Sequence, residues 1–112
     1  MKNPHIYLGH IRAAIEDITT YAAVGRDAFM VDRMRQDAVI RKLEIIGEAV
    51  KQLSDETTRR RPEIPWKQIA GMRDRLTHAY FGVDLGLVWA VVERDLGVLD
   101  KAVTALLSDL PG

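Results

Sequence analysis

The chain is 112 residues long with a mass of 12.6 kDa, room for one domain (1–112) and one modest core. Its 16 basic and 16 acidic residues cancel to a formal net charge of +0, so any nucleic-acid contact must be local or assembled from two subunits. Cysteine is absent, which excludes disulfides, thiolate metal sites and a cysteine nucleophile. No run approaches the roughly 18 uninterrupted apolar residues of a membrane span, and the first residues, MKNPHIYLGHIR, lack a signal-peptide pattern. The expectation is a soluble cytoplasmic protein that does not contact membranes.

Apolar spacing predicts helices nearly throughout, with no alternating strand pattern, hence an all-α protein of four or five helices. After an Asn3-Pro4 start, Leu8, Ile11, Ile15, Ile18 and Ala22 recur at steps of three and four. Val24-Gly25 breaks that run. A second run from Asp27 to Leu53 carries Val31, Met34, Val39, Leu43, Ile46 and Val50, predicting one helix of about 27 residues, roughly 40 Å. Ser54 with Asp55-Glu56 predicts the cap and acidic first turn of a short helix that stops by Arg61, before Pro62. Pro65 opens the next helix, whose stripe is Trp66, Ile69, Met72, Leu76 and Ala79 and whose end is Phe81-Gly82. From Asp84 onward Leu85, Val88, Val92, Leu96, Leu99, Val103, Leu106 and Leu110 form a near-heptad on a last helix.

The segment Gly71 to Gly82 concentrates Arg73, Asp74, Arg75, His78 and Tyr80 at a predicted helix end. Asp74 and His78 are four apart, close enough for the carboxylate to hold an imidazole nitrogen. Arg73 and His78 lie roughly 140° apart on an ideal helix and converge only through the arginine's reach, a distorted helix end or a second subunit. Such groups suit metal-free RNA cleavage, because RNA supplies its own 2′-hydroxyl nucleophile. Histidine moves protons near neutrality, and arginine offers a fixed charge and forked donors to phosphate oxygens. An arginine and a histidine at a helix end can equally be structural, meeting an acid and the terminal carbonyls.

Arg73-x-x-x-x-His78-x-Tyr80 resembles the signature of HEPN-domain (higher eukaryotes and prokaryotes nucleotide-binding) proteins of the HepT-like toxin family. The segment from Arg35 to Ala49 is similar to that family's long second helix. Pro65-Trp66, Met72-Arg73, Tyr80 to Asp84 and Trp89 also fall where family members have them, so the resemblance covers about His5 to Leu107. It implies a homodimeric four- to five-helix up-and-down HEPN bundle in which two Arg–His motifs face each other across an interface cleft. It implies metal-independent endoribonuclease activity without a cofactor, with Arg73 stabilising phosphate and His78 as general acid or base. Asp74 stands where asparagine is frequent in the family. A minimal nucleotidyltransferase antitoxin is the implied partner, transferring AMP onto the motif tyrosine, here Tyr80. The alternative is a non-catalytic HEPN dimer that binds nucleotide, RNA or its nucleotidyltransferase; a purely structural helical dimer is a third reading.

Other candidates carry plainer readings. His5 and His10 lack the i, i+4 spacing of a helical metal pair and read as surface residues. Arg59-Arg60-Arg61 reads as a solvated run or as an RNA-backbone contact flanking the cleft. Glu44 and Glu48 with Arg41 read as an ion-pair network or subunit contact, and Trp66 and Trp89 as core.

Overall fold

The computed structural model describes residues 3–72, 74 and 84–111, and every described element is helical. In chain order these are α1 (Pro4–Ala22), α2 (Arg26–Val31), α3 (Arg33–Lys51), α4 (Asp55–Arg59), α5 (Trp66–Ala70), α6 (Leu85–Ala90), a π-helical turn (Val91–Asp95) and α7 (Leu96–Asp109). Among the described residues no helix is long and apolar enough to cross a membrane.

Local chemistry sets most boundaries as the sequence predicts. Asn3 Oδ1 accepts from the His5 amide at 2.9 Å, with Pro4 in the first turn of α1. Gly25, at φ 91°, supplies the left-handed break between α1 and α2. Ser54 Oγ accepts from the Thr57 amide at 3.2 Å to start α4, and Asp84 Oδ1 accepts from the Leu87 amide at 3.1 Å to start α6.

Two of the expected helices need correction. The single helix from Asp27 to Leu53 is broken at Asp32, whose extended backbone separates α2 from α3. The break is stabilised because Asp32 Oδ1 accepts from the Arg35 amide at 3.2 Å and Gln36 Nε2 donates to the Phe29 carbonyl at 2.9 Å. The turn drives Phe29 fully into the core, against Trp89 at a centroid distance of 5.2 Å. It leaves Val31 and Met34, expected on the apolar stripe, more than four-fifths exposed. The last helix is likewise interrupted, by the π turn at Val91–Asp95. On an uninterrupted α-helix Val88 and Leu96 sit roughly 80° apart. One extra residue in the wider π turn brings both to the buried side, where they are 3% and 5% exposed.

The core joins Leu8, Ile11, Ile15 and Ile18 of α1 to Val39, Leu43 and Ile46 of α3 and to Leu99, Val103 and Leu106 of α7. Polar ties fix the direction of the α1–α3 pair. Lys42 Nζ meets Asp17 Oδ2 at 2.9 Å, and Arg35 Nη1 donates to the Tyr21 carbonyl at 3.0 Å. As numbers rise along α1 they fall along α3, so the two helices run antiparallel. His5, read as a surface residue, is half-buried and holds the chain ends together: its Nε2 lies 3.2 Å from the Leu110 carbonyl and 3.1 Å from that of Pro111.

Candidate functional site

The polar segment of interest follows directly on α5, so what fixes α5 fixes the approach to it. Ile64, Trp66 and Met72 are buried, anchoring both ends of this five-residue helix by apolar contact. The Trp66 indole N–H donates to the Arg61 carbonyl at 2.9 Å, which clamps the loop that enters α5. Arg61 in turn reaches across to α7, with Nη2 at 3.2 Å from Asp109 Oδ2. The third arginine of the 59–61 run is therefore a structural brace rather than part of a solvated run. At the other end the Gly71 amide donates to the Lys67 carbonyl at 3.0 Å, and Met72 is again helical.

Of the motif residues given a role in sequence (Arg73, Asp74, His78 and Tyr80), Asp74 is described. It is exposed, and its Oδ2 lies 4.0 Å from Lys51 Nζ at the last turn of α3. A pair this long and this exposed contributes about 0–1 kcal/mol to stability. Its consequence is electrostatic: the negative charge standing beside the motif arginine in sequence has a cation nearby. Lys51 was not picked out in sequence, because nothing along the chain signals a pairing between residues 51 and 74. Arg73, His78 and Tyr80 lie outside the described residues, as do Leu76, Ala79 and the Phe81-Gly82 helix end.

A cavity of about 240 Å³ lies beside the segment, between α3, α5, the π turn and α7. Ile46, Ile69, Met72, Val91 and Leu99 line it, with Asp95 and Gln68 as polar members. A second cavity of about 370 Å³ lies between α1 and α3, bordered by Tyr7, His10, Arg41, Glu44, Ile45 and Glu48. There the Tyr7 and His10 rings meet edge-on at 6.2 Å. Arg41 Nη1 pairs with Glu44 Oε2 at 3.6 Å, as expected from their spacing. Trp66 is a core residue as expected, whereas Trp89 is half-buried, packing one side against the core and donating its indole N–H to Glu93 Oε2 at 2.7 Å.

Comparison with known proteins turns this arrangement into a family assignment. Residues 11–106 match the family described as Ribonuclease HepT-like. A Thermococcus cleftensis protein carrying the name ribonuclease HepT, given as probable, is 47% identical over 98 residues, covering 86% of this chain and 89% of that protein. A Caldanaerobacter subterraneus protein, provisionally named an RNase, is 41% identical over 108 residues, covering 96% of each. A Methanocaldococcus jannaschii protein, named as a γ-glutamylcyclotransferase and provisionally as an RNase, is 46% identical over 110 residues. That match takes in 97% of this chain but 50% of the archaeal protein, so the chain spans half of that relative's length. No solved structure matches the chain at comparable significance. With an all-helical fold and a family match over most of its length, the chain belongs to the HepT-like ribonuclease family of HEPN-domain proteins.

Proposed function

We propose that the chain, as a single HEPN domain over 1–112, is a metal-independent endoribonuclease acting as the toxin of a toxin–antitoxin pair. The observation that carries this reading is the family match over residues 11–106, which contains Arg73-x-x-x-x-His78-x-Tyr80. In the proposed reaction the 2′-hydroxyl attacks the adjacent phosphorus and the bond to the 5′-oxygen breaks, leaving a 2′,3′-cyclic phosphate. His78 takes the hydroxyl proton or returns one to the departing oxygen, work suited to an imidazole near neutral pH. Arg73 holds the non-bridging oxygens as negative charge builds on them. Lys51, 4.0 Å from Asp74, supports the reading by offsetting a charge that otherwise repels the phosphate.

The working unit is a homodimer whose two motifs meet in one cleft, which answers the roughly 140° that separates Arg73 and His78 on an ideal helix. The antitoxin is a minimal nucleotidyltransferase, and AMP attached to the Tyr80 oxygen adds charge and bulk that keep RNA out. The cytoplasm, where RNA is at hand, is the site of action. The test is the end chemistry of RNA cut by the purified protein in chelator. Products ending in 2′,3′-cyclic phosphate are expected, and ends bearing 3′-hydroxyl contradict the mechanism. The neutral net charge and Asp74 favour a second reading, a non-catalytic dimer that binds nucleotide or its nucleotidyltransferase. RNA binding without cleavage at matched concentrations selects that reading.

A further inference from the structure

A chain with no net charge must hold a polyanion through cations that its own carboxylates leave free. Arg35, Arg41, Lys42 and Lys51, on α3, are each within 4.0 Å of an acid. Arg59, Arg60 and Lys67 are exposed and enter no ion pair among the described residues. Arg59 Nε donates to the Asp55 carbonyl at 3.2 Å, which aligns the guanidinium along α4 and leaves its terminal nitrogens without a carboxylate.

Between α4 and α5 lies an open groove of about 420 Å³. Its walls hold Thr58, Arg59, Pro62, Pro65, Lys67 and Gln68 over a floor of Ile64 and Trp66. Both ionisable groups among its described lining residues are cations. Of the acids on the flanking elements, Glu63 lines the neighbouring depression with Arg61 and Lys101, and Asp55 and Glu56 stand in the first turn of α4 outside the groove's lining. The groove's walls are stiff, because two prolines and the Trp66–Arg61 hydrogen bond fix the loop between α4 and α5. Met72, which directly precedes the motif arginine, is five steps along the chain from Lys67, about 8 Å at helical rise.

We infer that this α4–α5 groove is a binding track for the phosphodiester backbone of a single-stranded RNA, held by Arg59 and Lys67 of its lining and by exposed Arg60 beside it at the end of α4, and leading the strand to the motif. The inference rests on the ribonuclease reading and adds to it where the substrate lies. Contacts of this kind give affinity without base preference, and their signature is a salt-dependent binding constant.

The experiment measures binding of a fluorescent single-stranded RNA to the full chain carrying His78→Ala, across a salt series, with and without Arg59→Ala, Arg60→Ala and Lys67→Ala together. The slope of log affinity against log salt should fall by about 2, at roughly 0.7 per lost contact, with about hundredfold weaker binding near 0.1 M salt. Lysine at positions 59 and 60, with Lys67 kept, should restore most of the slope. A control removing Arg26 and Arg33 should keep the slope. Helix content by circular dichroism checks that each variant folds. An unchanged slope in the folded triple variant overturns the track, as does an equal loss in the Arg26 and Arg33 control. Neither result touches the ribonuclease reading, which fails separately if the wild-type protein leaves RNA intact.

Discussion

The α1–α3 pair and the α4–α5 segment are held together by different physics. α1 and α3 are 19 residues each and bury continuous apolar stripes, with Leu8, Ile11, Ile18, Val39 and Ile46 fully excluded from solvent. Their polar ties, such as Lys42 to Asp17, decorate a contact that burial already stabilises. α4 and α5 have five residues each, too few to be stable helices alone. Besides the few buried side chains at Thr57, Ile64, Trp66 and Met72, they are held by two specific contacts, the Trp66–Arg61 hydrogen bond and the Arg61–Asp109 brace. Stability therefore resides mainly in the long helices, while the segment leading to the motif depends on single side chains.

That contrast can be broken or sharpened by substitution. The largest stability effect is expected from Phe29→Ala, which empties a fully buried site against Trp89 and should cost about 3–5 kcal/mol in denaturant unfolding. Leu43→Ala should follow at about 2–5 kcal/mol. Both should leave cleavage per folded molecule near wild type, because they lie outside the motif segment. Trp66→Phe keeps most of the apolar contact but removes one of the two donors to the Arg61 carbonyl, the Ile64 amide being the other, at a cost of about 0.5–1.5 kcal/mol. Here cleavage should fall further than stability does, since the loop entering α5 loses its clamp. If Trp66→Phe and Leu43→Ala affect activity alike, the contrast between the two regions is wrong.

Lys51→Ala should change stability by no more than about 1 kcal/mol, yet it should weaken RNA binding by leaving Asp74 unopposed. Removing both partners, Lys51→Ala with Asp74→Asn, should recover binding. The smallest effect concerns Lys42. Its hydrogen bond to Asp17 raises its pKa above the ordinary 10.5. A raised lysine pKa contributes stability that is complete below 10.5 and lost as pH climbs through the folded value. Lys42→Met should therefore lose a small contribution at neutral pH and flatten the loss of stability above pH 10.5, the two proteins converging as pH rises.

The same contrast explains what could be read in the sequence. The α1 and α3 stripes were legible because burial imposes a helical period, and Ser54, Asp84 and Asn3-Pro4 marked helix starts by side-chain type. The break at Asp32 was not, because an aspartate within a strongly periodic run looks like any surface acid until Gln36 and Phe29 are seen to need the turn. The π turn left a trace, the eight-residue step from Val88 to Leu96, which reads equally well as a loose heptad. The motif was legible as chemistry and as family resemblance. Its surroundings were not: Lys51 meets Asp74, and Arg61 meets Asp109, only through the packing of helices distant in sequence.

The central claim, that an imidazole and a guanidinium act together on one phosphodiester, is tested most directly by single-turnover cleavage. Wild-type and His78→Ala proteins are compared in chelator at saturating protein. The account predicts a rate at least about a hundredfold lower for His78→Ala, with RNA affinity unchanged. Equal rates for the two proteins would contradict it.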